Sequence, residues 1–439
     1  MQRFKILGGA ALFLLTLFIL MPLSENTATS IPGPEALVSK SALQETAIDQ
    51  EEVRRYQLRQ QQLKSTLTDY FNKAIASGEI VGAGVSIVKG DSILLSDGFG
   101  KRKINDAATV NGQTIFRLGS LSKGFAGILA ASLEDEGKLD WEDKVIDYLP
   151  EFQLGDRQNT AQITLANILS HTAGTPYHSF TNLVEAGLSV KEIATHFKEV
   201  APISEPGSLY SYQNAMFSLC QEMMHKATGK KITTSLNNRF FKPLGMHSAT
   251  MDHQTISDAD NVAMPHSKWR KSFRSRPLTN RYYNAVAAGG INASALDMAK
   301  WMRFLLGYRP EVMQKSVIKE AFNPIIEHKG KSKYYQRWPG HLKSYYGFGW
   351  RIHKMAASDG SDQEQTIWHH GGSVNSYRNE IAVYPEVDLG ICVLLNSNSK
   401  LARRVIPDLY EIVQEVYKAS PRKKAQKDDT KILAGSNFE

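Results

Sequence analysis

The amino-acid sequence predicts an α/β fold of the α+β kind, in which a largely antiparallel sheet is flanked by helices and stands beside an all-helical lobe. Two observations support this prediction. Strand patterns occur towards both ends of the chain, and most of the sequence between them has helical periodicity that stops at glycines or other helix breakers. Because strands bury their apolar faces by pairing, the distant segments are expected to form one sheet.

The first strands form a predicted hairpin, IVGAGVSIVKG followed by SILLSDGFGKRKI, with turn residues Gly90 and Asp91 between them. A helix over 51–76, amphipathic in its second half, precedes this hairpin. After Phe116 the predicted helices are KGFAGILAASLEDEG, TLANILSHTAG, LVEAGLSVKEIATHF, NAMFSLCQEMMHKATG and ASALDMAKWMRFLLG. Strands return in YGFGWRIHKM, QTIWHHGG, SYRNEIAVYPE and DLGICVLLNS, and a helix over 402–417 closes the sheet.

The composition is that of a globular protein, with 42% apolar and 22% charged residues among 439. The net charge of +8 comes from lysines and arginines spread along the chain, not gathered in a stripe, so nucleic acid is not a predicted partner. Cys220 and Cys392 lie in apolar segments and are interpreted as buried free thiols. We expect neither a metal ion nor an organic cofactor.

The N-terminus has the pattern of an export segment, because Arg3 and Lys5 precede an apolar run that ends at Leu23. A cleaved signal peptide and a retained anchor both fit, so the protein is expected in the periplasm or anchored in the inner membrane facing outward. Membrane contact is expected through this segment only. The predicted domains are a signal or anchor (1–23), a tether (24–58), a catalytic domain (59–420) and a flexible basic tail (421–439).

The segment RLGSLSKGFAG places Ser120 three residues before Lys123 at the start of a predicted helix. Positions i and i+3 share one helix face, so the hydroxyl and the amine can meet. A serine becomes a nucleophile when a neighbouring base removes its proton, and a lysine can be that base if burial or nearby positive charge disfavours its ammonium form. A capping serine followed by a solvated lysine is the plainer interpretation of an isolated match. The strand-turn-helix setting favours catalysis.

Two further motifs follow in order: Tyr212 and Asn214 in PGSLYSYQN, and His369, His370 and Gly371 in HHGG. Together with the Ser120-x-x-Lys123 motif, they make the sequence resemble the class C β-lactamase family, including its esterase and D-amino-acid peptidase relatives, over roughly 63–417. Four segments between the motifs also resemble family segments: ITLANILSHTAG, PLGM, AAGGINASALDMAKW and YGFGW. The resemblance implies a β-lactamase/transpeptidase-like fold with the active site between its two lobes.

The resemblance also implies roles for the site residues. Tyr212 would act with Lys123 as general base and then return a proton to the leaving group, although a buried core tyrosine is the alternative. Asn214 would orient Lys123 and the substrate. The backbone N–H groups of Ser120 and Gly372 would form the oxyanion hole. His369 and Gly371 would line the substrate-binding strand.

The third motif departs from a standard β-lactamase, because His369 stands where the family has a lysine that binds a substrate carboxylate. Histidine has an ordinary pKa of about 6.5 and is largely neutral at pH 7, which favours the esterase and peptidase branches over efficient β-lactam hydrolysis. A metal site at His369 and His370 is not expected, because adjacent strand residues face opposite ways. His171 and Arg117 are interpreted as structural hydrogen-bonding residues.

The predicted function is that of an exported serine hydrolase that forms an acyl-enzyme on Ser120 and hydrolyses ester or amide substrates. Small esters, D-amino-acid peptides and β-lactams are candidate substrates, and the expected partner is a small molecule or a peptide of cell-wall origin. Two alternatives stay open at this point. One is a D,D-peptidase that acts on peptidoglycan, and the other is a catalytically silent scaffold that binds a wall fragment or a protein.

Overall fold

The computed structural model describes the backbone of residues 35–270, 272–356 and 363–417, with side chains from residue 50 onward. The predicted signal or anchor over 1–23 and the basic tail over 421–439 therefore lie outside the described residues. Two units divide the chain, one over 1–56 and the other over 57–439. Within the described residues, no helix combines the length and the apolar character that crossing a bilayer requires.

Helix α1 extends over Glu35–Ala76, so part of the predicted tether is helical. The physical reason lies in its composition: from residue 35 to residue 76 the sequence has no glycine or proline and is rich in Ala, Leu, Glu, Gln and Lys, which are good helix formers. The helix therefore begins at Glu35, within the tether predicted over 24–58, and not at residue 51 as predicted. In the second unit, Leu63, Leu67 and Phe71 form the buried face of α1.

Twelve strands lie in the described residues. They are β1 Gly82–Lys89, β2 Ser92–Gly100, β3 Ile115–Arg117, β4 His266–Trp269, β5 Ser272–Ser275, β6 Asn292–Ser294, β7 Ile326–Glu327, β8 His341–Tyr346, β9 Arg351–Ala356, β10 Glu364–Val374, β11 Tyr377–Tyr384 and β12 Leu389–Leu395. Eight of them form one sheet in the order β2-β1-β12-β11-β10-β9-β8-β7, with antiparallel neighbours throughout, while β3 pairs with β6 and β4 with β5.

The remaining helices are α2 Ser122–Asp135, α3 Val145–Tyr148, α4 Arg157–Gln162, α5 Leu165–Leu169, α6 Thr181–Ala186, α7 Val190–His196, α8 Asn214–Thr228, α9 Ile232–Leu236, α10 His253–Asp258, α11 Val286–Gly289, α12 Ala295–Leu305, α13 Lys315–Glu320 and α14 Val405–Tyr417. Short 3-10 helices lie at Gly119–Leu121, Phe197–Glu199, Tyr334–Arg337 and Lys400–Arg403, and a π-helical segment lies at Asn237–Phe241. The predicted helical middle of the chain is therefore present, and the predicted fold class is confirmed.

The pairing of β1 with β12 joins strands from the two ends of the second unit in one sheet, as the strand patterns predict. Strand β12 shows how the sheet separates two cores. Cys392 and Leu394 contribute to the core that contains α2, α8 and α12, whereas Ile391 and Val393 belong to the core shared with α1 and α14. Successive side chains alternate between the faces of a strand, so a fully buried strand supplies both cores.

Three details refine the sequence-based expectations. Cys220 and Cys392 are buried free thiols, as predicted. The predicted helix LVEAGLSVKEIATHF is two helices, α6 and α7, because Gly187 adopts a φ of 91° and ends the first. The segment YGFGWRIHKM is not one strand: β8 ends at Tyr346 and β9 begins at Arg351, with Gly349 at a φ of 78° between them.

Candidate active site

Ser120 lies in the 3-10 helix Gly119–Leu121, between β3 and α2, and is half-buried. Gly119 precedes it with a φ of 57°, and a β-carbon on that residue would lie 2.9 Å from the carbonyl carbon of Ser373. Asn379 holds the start of this turn by donating hydrogen bonds to the carbonyls of Arg117 (2.8 Å) and Leu118 (3.1 Å). The turn therefore needs a glycine, and it places the serine against β10.

Lys123 lies in the first turn of α2 and is fully buried. Its Nζ donates to Oδ1 of Asn214 at 2.7 Å and to the carbonyl of Ala288 at 2.9 Å. Among the described residues no carboxylate forms an ion pair with it. The helix is pressed against the loop after β8, because a β-carbon on Gly127 would lie 1.9 Å from the Phe348 carbonyl oxygen.

The environment of Lys123 favours the neutral amine. Burial, reinforced by the positive charge of Arg351, holds its pKa well below the ordinary value. A neutral amine has two N–H donors, and the two acceptors at 2.7 and 2.9 Å use both. Its lone pair therefore remains free to accept a proton, which is what a general base requires.

Tyr212 is the residue that links the serine to the lysine. Its phenol is close enough to Ser120 for that side chain to lower the pKa of the phenol, and the Nζ atom of Lys123 lies 4.9 Å from the centre of its ring. Burial raises its pKa, against the lowering influence of Arg351 and of the Ser120 hydrogen bond. The phenol is thus protonated near neutral pH, which makes it suited to donating a proton, while Lys123 is the better base.

The segment before α8 is held by His171. The backbone N–H of Gln213 donates to Nδ1 of His171 at 3.2 Å, and the imidazole ring lies 4.2 Å from the ring of Tyr212. Burial, reinforced by the positive charge of Arg351, keeps the pKa of His171 well below its ordinary value. A neutral imidazole in this position orients the tyrosine, in agreement with the structural role predicted for His171.

Arg117 is also structural. It is fully buried, donates to the carbonyls of Thr279 (2.8 Å) and Arg281, and lies over the ring of Tyr283 at 4.4 Å. These contacts attach β3 to the loop that precedes α11. Arg117 therefore stabilises the scaffold behind the serine.

The glycines of the third motif bring β10 against the serine turn. A β-carbon on Gly372 would lie 2.2 Å from the carbonyl oxygen of Leu118, so the strand can approach this closely because the residue is a glycine. A β-carbon on Gly371 would lie 2.7 Å from the hydroxyl of Tyr334. The pairing of β10 with β9 ends at His369, before these glycines, and the oxyanion role of Gly372 stays a prediction.

The structure does not bring His369 to the cluster formed by Ser120, Lys123 and Tyr212. Its ring is fully buried on the other side of β10, where Nε2 lies 2.8 Å from Oε2 of Glu380 and Nδ1 lies 3.0 Å from Nε2 of His353. The placement of His369 as a substrate-binding residue is therefore corrected. The reason is that successive side chains alternate between the two faces of a strand. The prediction puts His369 at the family's lysine position, and an error of one residue in this placement moves the side chain to the opposite face.

His370 takes the position next to the cluster. Its Nε2 lies 3.0 Å from the hydroxyl of Tyr346, and its ring centre is 6.4 Å from that of Tyr212. Burial, together with Arg351 and Lys123, keeps the pKa of His370 well below its ordinary value, so this histidine is neutral. The sequence contains a clue, because adjacent strand residues face opposite ways and only one of the two histidines can face Tyr212. It does not indicate which of them does.

Arg351 was not identified from the sequence. Its guanidinium carbon lies 5.9 Å from the ring centre of Tyr212 and 5.0 Å from that of Tyr335. The only local clue is that it directly follows Trp350 in the recognised YGFGW segment, and no periodicity argument places it near a serine 231 positions earlier.

The arrangement supports acyl transfer by a hydroxyl nucleophile. It contains a half-buried serine, a buried lysine whose environment favours the neutral amine, and a protonated phenol beside the serine. No group of three or more His, Cys, Asp or Glu residues suited to a metal ion occurs in the described part of the chain.

The antiparallel sheet, the helical lobe and the Ser–Lys–Tyr cluster at their junction define a protein of the β-lactamase and penicillin-binding-protein class. A model of the Beta-lactamase family matches residues 67–414. The chain belongs to this family and has its fold.

Individual relatives are distant. Protein flp of Staphylococcus aureus (strain MRSA252) is 22% identical over 338 residues, which are 76% of this chain and 63% of that protein. Unguisins hydrolase ungD' of Aspergillus campestris is 24% identical over 331 residues, which are 73% of this chain and 59% of that protein. The chain therefore spans less than two thirds of the length of these curated relatives.

Two solved structures share the fold. The octameric penicillin-binding protein homologue from Pyrococcus abyssi superposes with a TM-score of 0.67 and 22% identity, over 79% of this chain and 77% of its own. EstCE1, described as a hydrolase with promiscuous acyltransferase activity, superposes with a TM-score of 0.69 and 18% identity, over 81% of this chain and 99% of its own. At these identities the likeness supports the fold alone.

Proposed function

We propose that this protein is a serine hydrolase that forms an acyl-enzyme on Ser120 and then transfers the acyl group to water. The observation that carries the proposal is that Ser120 and the phenol of Tyr212 are close enough to influence one another beside a buried Lys123 that has no carboxylate partner among the described residues. A solvated capping serine would have neither neighbour. The names of two relatives, a hydrolase and a hydrolase with acyltransferase activity, agree with this chemistry.

In the proposed mechanism, Ser120 Oγ attacks an ester or amide carbonyl while its proton passes to Lys123, directly or across the phenol of Tyr212. The carbonyl oxygen gains negative charge, which the backbone N–H groups at Ser120 and Gly372 would stabilise. Tyr212 then protonates the leaving group. Water attacks the acyl-enzyme in the second step, and the same base removes its proton.

The substrate class within this chemistry is a small ester or a D-amino-acid peptide in preference to a β-lactam. The neutral His370 next to Tyr212 supports this choice, because it supplies no fixed charge at the strand position where β-lactamases have lysine. A D,D-peptidase is the second candidate, favoured by the likeness to a penicillin-binding protein homologue. The proposal also includes export of the protein, which is supported by Arg3, Lys5 and the apolar run after them.

The decisive experiment measures covalent labelling of Ser120. A fluorophosphonate should add one adduct mass, located on the Ser120 peptide, and Ser120→Ala should abolish it. Ser122→Ala is the matched control, because this neighbouring buried serine accepts a hydrogen bond from the Ile291 N–H and should not react. Absence of any adduct with fluorophosphonate and with labelled penicillin would support the silent scaffold instead.

Hydrolysis assays then separate the substrate classes. A panel of small esters, D-amino-acid peptides and β-lactams should show turnover of the first two in preference to the third. Rapid β-lactam turnover would contradict the interpretation of the third motif. Fractionation of cells that produce the full chain tests export, and recovery in the soluble cytoplasmic fraction would contradict that part.

A further inference from the structure

Tyr282 is connected to the catalytic lysine through the side chain of Asn214. It belongs to the loop before α11 and is buried, with 8% of its surface exposed. Its hydroxyl accepts a hydrogen bond from Nδ2 of Asn214 at 3.1 Å, while Oδ1 of the same amide accepts from Nζ of Lys123 at 2.7 Å. One amide group therefore joins the phenol of Tyr282 to the proposed general base.

The ring of Tyr282 also packs against α11, which supplies the second acceptor of Lys123. A β-carbon on Gly289 would lie 2.9 Å from Cδ1 of Tyr282, and the carbonyl of the preceding residue, Ala288, accepts from Lys123 at 2.9 Å. The carbonyl of Tyr282 accepts from the N–H of Ala285 at 3.0 Å, directly before α11. The close approach of ring and helix thus depends on the glycine at position 289.

The backbone of Tyr282 has a conformation that is unusual for an aromatic residue. Its φ of 70° lies in the left-handed region, where the β-carbon of any residue other than glycine is crowded by its own backbone. Such conformations persist when the surrounding structure holds them, and they cluster at functional sites. In this conformation the hydroxyl reaches Asn214 and the ring reaches Gly289.

The orientation of the Asn214 amide determines whether Lys123 can act as a base. With Oδ1 towards Nζ, the amide accepts a hydrogen bond and leaves the lone pair of the neutral amine free. In the opposite orientation Nδ2 would donate to that lone pair and occupy it. Asn214 is only 5% exposed, so an amide N–H group without an acceptor would be costly, and the hydroxyl of Tyr282 is an acceptor for it.

We propose that Tyr282 is a positioning residue of the active site, which keeps the lone pair of Lys123 free by fixing the orientation of the Asn214 amide. The proposal rests on the proposed function, because it concerns the base that activates Ser120. Tyr282 lies outside all the recognised motifs and segments of the sequence. Its role is exerted through Asn214 and α11, and not through contact with the substrate.

Removal of the hydroxyl should have two effects that occur together. Nδ2 of Asn214 loses its acceptor and turns to the lone pair of Lys123, so kcat should fall by about tenfold. The same hydrogen bond favours the neutral amine, so the acid limb of the pH profile of kcat/KM should move to lower pH by at least about 0.5 unit. A merely looser site would admit water, which favours the ammonium form and moves the limb to higher pH.

The charges around these residues stay the same when the hydroxyl is removed. The titratable groups that face Lys123 are Arg351, Tyr212, Cys220, His171, His178 and His370, and those that face Tyr282 are Glu185, Arg281 and Tyr212. Burial raises the pKa of Tyr282, so its phenol is protonated near neutral pH and carries no charge to lose. A shift of the acid limb therefore reports the hydrogen bonding of Lys123.

The test compares Tyr282→Phe with Tyr283→Phe in the hydrolysis of a small ester by the full-length protein, from about pH 5 to pH 10. Tyr283→Phe is the matched control, because it removes the hydroxyl of the next residue, which donates to Oδ1 of Asn292 at 2.9 Å. The control should keep kcat within about twofold and leave the acid limb in place. Absence of either effect in Tyr282→Phe, or an equal shift of the limb in Tyr283→Phe, would overturn the proposal.

A direct titration of Lys123 keeps the proposal separate from catalysis. In protein labelled with carbon-13 at Cε of lysine, the NMR signal of Lys123 is assigned by its loss in Lys123→Met, and its position reports the protonation of the amine. In Ser120→Ala protein, adding Tyr282→Phe should lower the pKa of Lys123 by at least about 0.5 unit. An unchanged or raised pKa would refute the role of Tyr282. Failure of fluorophosphonate labelling would instead refute the proposed function, whatever the titration shows.

Discussion

The buried amine of Lys123 makes a prediction about stability as well as catalysis. Burial and Arg351 hold its pKa well below the ordinary value, whereas in the unfolded chain the same group titrates near 10.5. Between the folded pKa and about 10.5, the unfolded state binds one more proton than the folded state. Stability should therefore increase as the pH rises through this window.

The size of this pH dependence follows from the one additional proton that the unfolded state binds. Each pH unit within the window changes the free energy of unfolding by about 1.4 kcal/mol. Replacement by methionine, which has similar length and no titrating group, removes this contribution. The difference in unfolding free energy between wild type and Lys123→Met should then grow by this amount in favour of the wild type as the pH rises.

Urea denaturation at pH 8, 9 and 10 measures the free energy of unfolding of each protein. The difference between the wild type and Lys123→Met cancels the contributions of titrating groups that both proteins share. Lys123→Met should also have no measurable ester hydrolysis. Parallel pH curves, with a difference constant to within about 0.5 kcal/mol, would show that the folded protein keeps the lysine protonated. The assignment of Lys123 as the base would then be refuted.

Three further outcomes are expected. Tyr212→Phe should lower kcat for an ester by about 10²- to 10⁴-fold with an unchanged melting temperature, and retention of kcat would exclude proton transfer by the phenol. His370→Ala should lower kcat more than His369→Ala, whereas His369→Ala should reduce stability by about 1–3 kcal/mol because it removes one hydrogen-bond partner of the buried Glu380; the reverse order would restore His369 to the site. Gly127→Ala should lower the melting temperature by several degrees, since its β-carbon would lie 1.9 Å from a backbone oxygen, and an unchanged melting temperature would contradict this packing.

Local patterns in the sequence were sufficient for much of the fold. The hairpin of β1 and β2, the long helix α8 and the buried strand β12 each have a periodicity or turn residues that neighbouring positions determine. The same holds for Ser120 and Lys123, because positions i and i+3 at a helix start share a face in any fold.

Other features depend on residues far apart in the chain. The order of the sheet, in which β1 lies beside β12, follows from burial on both faces and not from any local pattern. The break between β8 and β9 reflects the close approach of the Phe348 carbonyl to α2. No window of the sequence contains both partners of that contact.

The sequence by itself determined the fold class, the nucleophile candidate and its lysine, since each depends on local periodicity or on a short motif. Tertiary structure decided which histidine of the pair faces Tyr212, and that Arg351 stands beside the same ring. Both are questions of strand register, and a shift of one residue exchanges the two faces of a strand without changing its composition. For this reason the charge of the cleft could be assigned only once β8, β9 and β10 were placed side by side.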